Sequence, residues 1–175
     1  MQNYSFLQKQ LHHLCLGNQI IKKSLFEIEK ILFAKKMPDI QHNQHIFITG
    51  LPRSGTTILL EFLYETKEFA SLTYSDMPFI LSSNLFSKFI KKQNFDLKER
   101  MHNDGIQFNL QSPEAFDEVF FKTFNVNELK DNLTTFIALV LKKYDKKLYL
   151  SKNNNNYKRI ELIHSMLSNA KFIIP

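Results

Sequence analysis

The stretch that most constrains this chain is Ile46-Phe47-Ile48-Thr49, then Gly50-Leu51-Pro52-Arg53-Ser54-Gly55-Thr56-Thr57, then the apolar run Ile58-Leu59-Leu60. A short apolar run rich in β-branched and aromatic residues reads as a buried strand. The residues after it match the phosphate-loop template Gly-x4-Gly-Lys-Ser/Thr at every fixed position but one. In such a loop successive backbone N–H groups form a concave nest. The following helix adds its own unpaired N–H groups and the positive end of its dipole. Gly55 allows an oxyanion to approach the backbone closely, and Thr56 and Thr57 add hydroxyl donors. The mismatch carries information. Thr56 stands where the template has the lysine that reaches the β- and γ-phosphates of a nucleoside triphosphate, and the cation is Arg53, inside the loop. A planar guanidinium suits the paired oxygens of a terminal phosphate or sulfonate. No segment reads as a strand ending in Asp that would hold Mg²⁺. The loop therefore suits a phosphate-bearing donor without a γ-phosphate or an essential metal.

Around the loop, apolar spacing predicts helices over residues 4–36, broken near Gly17-Asn18, and a polar connector over 37–44. It also predicts a helix over 56–66 and another over 77–92, where Phe79, Ile80, Leu85, Phe86, Phe89 and Ile90 form an apolar stripe. Ser112-Pro113-Glu114 reads as a helix start, with Ser at the N-cap and Pro at the first helical position. A long helix is expected over 126–143, strands over 148–150 and 170–174, and a helix over 157–167 between them. Strands alternating with helices imply a parallel sheet. The expected fold is α/β, a P-loop-type three-layer sandwich whose short parallel sheet of three or four strands is flanked by many helices. Residues 1–40 are expected as N-terminal helices packed on the core, and 41–175 as the N-terminal portion of the α/β domain. The final apolar strand runs into Pro175, where the sequence ends. Ligands bind beyond the carboxyl ends of such strands, so the domain is expected to be incomplete.

Charge narrows the partner class only in part. The net charge is +6, but the basic residues are scattered pairs such as Lys22-Lys23, Lys91-Lys92 and Lys146-Lys147. With no Arg-rich arm and no basic run interleaved with aromatics, a nucleic-acid partner is not expected. Cys15 is the single cysteine, which excludes a disulfide framework, and its neighbours Leu14 and Leu16 suit a small buried hydrophobe. His12 and His13 are adjacent and cannot share a helical face, and His42 and His45 have no third ligand nearby, so no metal site is expected. The N-terminus lacks the basic-then-apolar order of a signal peptide. No apolar stretch approaches the ~20 residues that span a bilayer. The expectation is a cytoplasmic protein without an integral membrane segment.

The loop GLPRSGTT resembles the 5′-phosphosulfate loop of sulfotransferases, in the branch that carries PRSGTT where the cytosolic small-molecule enzymes carry PKSGTT. Four further blocks are similar to those of a bacterial sulfotransferase group: Tyr74–Phe79, Arg100–Gly105, Ser112–Phe116 and Tyr149–Asn156. The resemblance runs from about residue 45 to residue 175, and residues 1–40 take no part in it. It implies transfer of a sulfonate group from 3′-phosphoadenylyl sulfate (PAPS) to a hydroxyl or amine. In that reading Pro52, Arg53, Ser54, Gly55, Thr56 and Thr57 hold the 5′-phosphosulfate. Lys152 is similar to a family lysine that faces the transferring group. The family's second cofactor motif, which holds the 3′-phosphate, begins on a strand like 170–175 and continues beyond the last residue of this sequence.

Sulfonate transfer is in-line displacement at sulfur, which needs a base for the acceptor proton and cations for the leaving phosphate. Arg53 and Lys152 fit the cationic role. Two residues are candidates for the base. His102 has the right intrinsic pKa, with Asp104 close enough to fix its tautomer, although a solvated loop histidine fits equally. Asp76 is the second candidate, and a helix cap before Pro78 is its competing role. Asn153–Asn156 reads either as low complexity or as a site loop offering amides. The acceptor stays open among carbohydrates, lipids and small alcohols. Two alternatives stand beside the transferase: a P-loop small-molecule kinase, and an inactive fragment acting only by binding.

Overall fold

The computed structural model describes residues 6–87, 98–99 and 107–175, with side chains for 10–87 and 109–175. Two helices open the chain, α1 (Phe6–Gly17) and α2 (Gln19–Phe33). Asn18 separates them: its side chain accepts hydrogen bonds from the N–H groups of Ile20 and Ile21, capping α2. Strand β1 (Ile46–Ile48) leads through the phosphate-type loop into α3 (Thr56–Glu65) and the two-residue strand β2 (Phe69–Ala70). Two further two-residue strands, β3 (Lys98–Glu99) and β4 (Gln107–Phe108), pair antiparallel. Helices α4 (Glu118–Thr123) and α5 (Val126–Tyr144) precede β5 (Leu148–Lys152), α6 (Ile160–Met166) and β6 (Lys171–Ile173). A capping box starts α5, in which Asn125 and Glu128 each satisfy the other's backbone N–H.

The main sheet has the order β2-β5-β1-β6, parallel throughout. Side chains alternate across it as a strand's period of two requires. On one face Phe47 and Tyr149 join Phe26, Phe120, Phe136 and Ile137 in the larger core. On the other face Ile48 and Leu150 pack with Leu60 of α3. Helical layers therefore cover both faces, giving the three-layer α/β sandwich. The core side is rich in phenylalanine, with the Phe120 and Phe136 rings stacked at 4.3 Å.

Buried polar groups tie the layers together. His45 is fully buried, and its Nδ1 accepts from the Tyr149 N–H at 3.0 Å. Its Nε2 therefore carries the proton and donates to the Ile40 carbonyl at 3.1 Å. Burial lowers the pKa of this imidazole. On α2, the buried Glu29 carboxylate accepts from the Asn84 N–H and side-chain amide, each at 2.8 Å, and from the Leu85 N–H at 2.9 Å.

Three expectations are corrected by the structure. Of the helix expected over 77–92, residues 88–92 lie outside the described residues, and 77–87 form successive turns because Glu29 captures the N–H groups of residues 84 and 85 that a helix would bond internally. Ser112-Pro113-Glu114 does not start a helix; Tyr74 N–H bonds the Ser112 carbonyl and Glu114 N–H the Leu72 carbonyl, so the segment is extended, and α4 begins at Glu118. The helix expected over 157–167 is a 3₁₀ turn, Asn154–Arg159, followed by α6. We predict that Glu29→Ala, which removes the shared acceptor of the Asn84 and Leu85 N–H groups, lowers stability to urea by about 3 kcal/mol. An unchanged midpoint and slope would contradict this account of the 77–87 segment.

Candidate functional site

The loop leaves the carboxyl end of β1, an interior strand flanked by β5 and β6. The ladder extends past the strand ends, with Thr49 N–H bonding the Ile173 carbonyl at 3.0 Å and Asn153 N–H the Ile48 carbonyl at 3.0 Å. The base of the loop is thus fixed on both sides. Within the loop Ser54 N–H closes a turn onto the Leu51 carbonyl at 3.2 Å. Arg53 and Gly55 both have positive φ, 68° and 85°. Glycine adopts that region freely, whereas it is uncommon for an arginine.

Gly50 has no room for a side chain: a Cβ there would lie 2.9 Å from Ser54 Oγ and 3.1 Å from Thr56 Cγ2. The Ser54 hydroxyl packs against Gly50, buried and without a hydrogen-bond partner among the described residues. Gly55 occupies the N-cap of α3 and offers no side chain to satisfy the first-turn N–H groups. An orphaned hydroxyl, uncapped amides and a helix dipole in one loop are the features with which a loop of this type can hold a phosphate or sulfate. Of the residues expected to hold the donor, Pro52, Arg53 and Gly55 are exposed, Ser54 and Thr57 half-buried, and Thr56 buried.

Lys152 ends β5, and its register partner on β1 is Ile48, two residues before Gly50. Its ammonium pairs with Glu114 Oε1 at 3.1 Å, and only 12% of its side chain is exposed. The residues around it are equally engaged. Ser151 Oγ and Asn153 Nδ2 both donate to the buried Asp117 carboxylate. Glu118 accepts from Asn153 at 2.6 Å and pairs with Arg159 at 2.8 Å. Asn156 donates to Ser151 Oγ at 3.0 Å, and Thr49 Oγ1 donates to the Asn154 carbonyl at 3.1 Å. The asparagine run is therefore a bonded loop at the carboxyl ends of the strands. Its acidic partners, Asp117 and Glu118, and the Glu114 that pairs with Lys152, were not among the sequence candidates. Their one available signal was the spacing of acids along what becomes the approach to α4.

Asp76 is fully buried and carries a full set of donors. Thr73 N–H and Tyr144 O–H bond Oδ2 at 2.7 and 2.6 Å, and Lys143 bonds Oδ1. It sits in a capping box with Thr73 on a 3₁₀ turn. His102 lies outside the described residues, as does Asp104.

These features define an α/β protein with a strand, a phosphate-type loop and a helix at the carboxyl edge of its parallel sheet. A profile of the sulfotransferase family matches residues 45–174, and the chain belongs to that family. Its fold is similar to the crystal structure of the sulfotransferase STF1 from Mycobacterium tuberculosis. The TM-score is 0.59 at 14% identity, covering 97% of this chain and 55% of that one, so this chain spans about half the length of the mycobacterial protein. No curated protein sequence matches the chain. No helix among the described residues is long and apolar enough to cross a membrane, and no group of three or more metal-ligating side chains occurs among them.

Burial pushes the Asp117 carboxyl from an ordinary 3.8 up to about 6, against the lowering pull of the Ser151 and Asn153 hydrogen bonds. A carboxyl that holds its proton more tightly in the folded than in the unfolded chain stabilises the fold at low pH. That contribution is complete below pH 3.8 and is lost as pH rises to about 6. The shift corresponds to about 3 kcal/mol. The stability of wild type relative to Asp117→Asn should therefore fall by about 3 kcal/mol between about pH 3.5 and about pH 7, read by urea unfolding. A pH-independent difference would refute the assignment.

Proposed function

We propose that this chain transfers a sulfonate group from 3′-phosphoadenylyl sulfate to a hydroxyl or amine of a small-molecule, carbohydrate or lipid acceptor. The observation that carries the reading is the loop itself: a cradle with an orphaned Ser54 hydroxyl and an arginine, and threonine in place of the triphosphate-binding lysine. The sulfotransferase family match agrees with a sulfonate donor. In this reading Ser54, Gly55, Thr56 and Thr57 hold the 5′-phosphosulfate through backbone N–H groups and hydroxyls, with Pro52 shaping the turn. The Arg53 guanidinium spans two of its oxygens.

In the transfer, the acceptor oxygen or nitrogen attacks sulfur, and the bond from sulfur to the bridging phosphate oxygen breaks. Adenosine 3′,5′-bisphosphate leaves. Negative charge grows on that leaving oxygen, and Lys152, one strand away from the loop, is the cation that stabilises it. The acceptor's proton goes to a base. Asp76 is enclosed by Thr73, Lys143 and Tyr144, so we assign it to bracing the 73–76 turn and assign the base to His102.

Calorimetry on the chain tests the donor. Adenosine 3′,5′-bisphosphate should bind without Mg²⁺ and in preference to Mg·ATP, and Arg53→Ala should weaken it by about 1.5–3 kcal/mol. Preference for Mg·ATP would point to a kinase instead. His102→Ala should abolish turnover while leaving bisphosphate affinity unchanged; normal turnover would move the base elsewhere.

A further inference from the structure

The described segment 114–118 places three carboxylates against one short stretch of chain, 151–159, which includes Lys152. Glu114 takes the Lys152 ammonium at 3.1 Å. Asp117 takes the two residues that flank the lysine, through Ser151 Oγ and Asn153 Nδ2. Glu118 takes Asn153, Asn155 and Arg159. The lysine's backbone is thus held from both sides by one buried carboxylate, and its tip by another. A lysine side chain has four rotatable bonds and loses ~2 kcal/mol of rotamer entropy when fixed, so an ammonium at a strand end is not held in place without a partner. The sheet supplies none, since Ile48 is the facing register partner.

We propose that Glu114 is the positioning residue for Lys152: it fixes the ammonium at the carboxyl edge of the sheet, on the strand next to the one that carries the loop. This rests on the role given to Lys152 in the proposed transfer. Glu114 does not touch the transferring group in this account. It acts by holding the cation in line before the donor arrives, and so spares the transition state the cost of ordering it. Glu114 also accepts from the Ala115 N–H at 3.0 Å, which fixes its own side chain against the approach to α4.

The experiment combines kinetics with a readout that needs no turnover. Lysines of the folded chain are labelled with acetic anhydride, and each site is followed by peptide mass spectrometry. In wild type Lys152 should label slowly, and adenosine 3′,5′-bisphosphate should slow it further. Glu114→Gln, which releases the ammonium from its ion pair, should raise Lys152 labelling severalfold, towards that of the exposed Lys130, which is itself unaffected. A role confined to stability would change all lysines together. In turnover, Glu114→Gln should lower kcat about tenfold or more with the donor KM within about twofold. Glu114→Asp, which keeps the charge on a shorter stem, should fall between the two and serves if the Gln variant does not fold. Wild-type labelling of Lys152 in both variants, or unchanged kcat where Lys152→Ala loses transfer, would overturn the proposal. Full transfer by Lys152→Ala would instead sink the assigned role of the lysine itself.

Discussion

The parallel pairing of β1 with β5, with Ile48 opposite Lys152, is the contact on which the rest of the site depends. It sets the cradle and the lysine on adjacent strands at the same edge of the sheet. That pairing is secured below by His45, whose ring accepts the Tyr149 N–H from β5 and donates to the Ile40 carbonyl that precedes β1. It is secured above by Asn153 N–H on the Ile48 carbonyl. Between these polar ends, Phe47 and Tyr149 pack on one face and Ile48 and Leu150 on the other. Backbone pairing fixes where the functional groups start, and apolar packing keeps the strands from slipping, since a one-residue slip would turn every side chain to the opposite face.

Polar burial is the second theme. Glu29, Asp76 and Asp117 are buried carboxylates, each costly to desolvate and each met by several donors. Glu29 joins α2 to the turns at 84–85, and Asp76 joins the 73–76 turn to the end of α5 through Lys143 and Tyr144. Asp117 joins the approach to α4 to the end of β5. Such groups contribute little net stability, because hydrogen bonds largely offset desolvation. What they provide is geometry: each connects irregular segments that apolar packing alone leaves free to slide.

Legibility in the sequence followed the range of the interactions. The strand, loop and helix around Gly50–Thr57 could be read directly, because a phosphate nest depends on adjacent residues. The break at Asn18 and the extent of α5 were equally local, set by caps within three residues. The 77–92 stripe predicted a helix because spacing cannot reveal that Glu29, far away in sequence, takes the backbone donors at 84 and 85. Ser112-Pro113-Glu114 carries the residues of a helix start and pairs instead with 72–74. Asn153–Asn156 was ambiguous for the same reason, since Asp117 and Glu118 become its partners only through the fold. Strand β2, two residues long, has no periodicity to detect.

The central claim is that the Gly50–Thr57 loop is an anion cradle for the donor's phosphosulfate end. Amide-resolved NMR of the isotope-labelled chain, titrated with adenosine 3′,5′-bisphosphate without metal, tests it most directly. The account predicts that the N–H resonances of Ser54, Gly55, Thr56 and Thr57 shift together and saturate at one ligand per chain. Binding that leaves those four resonances in place and moves others would contradict it.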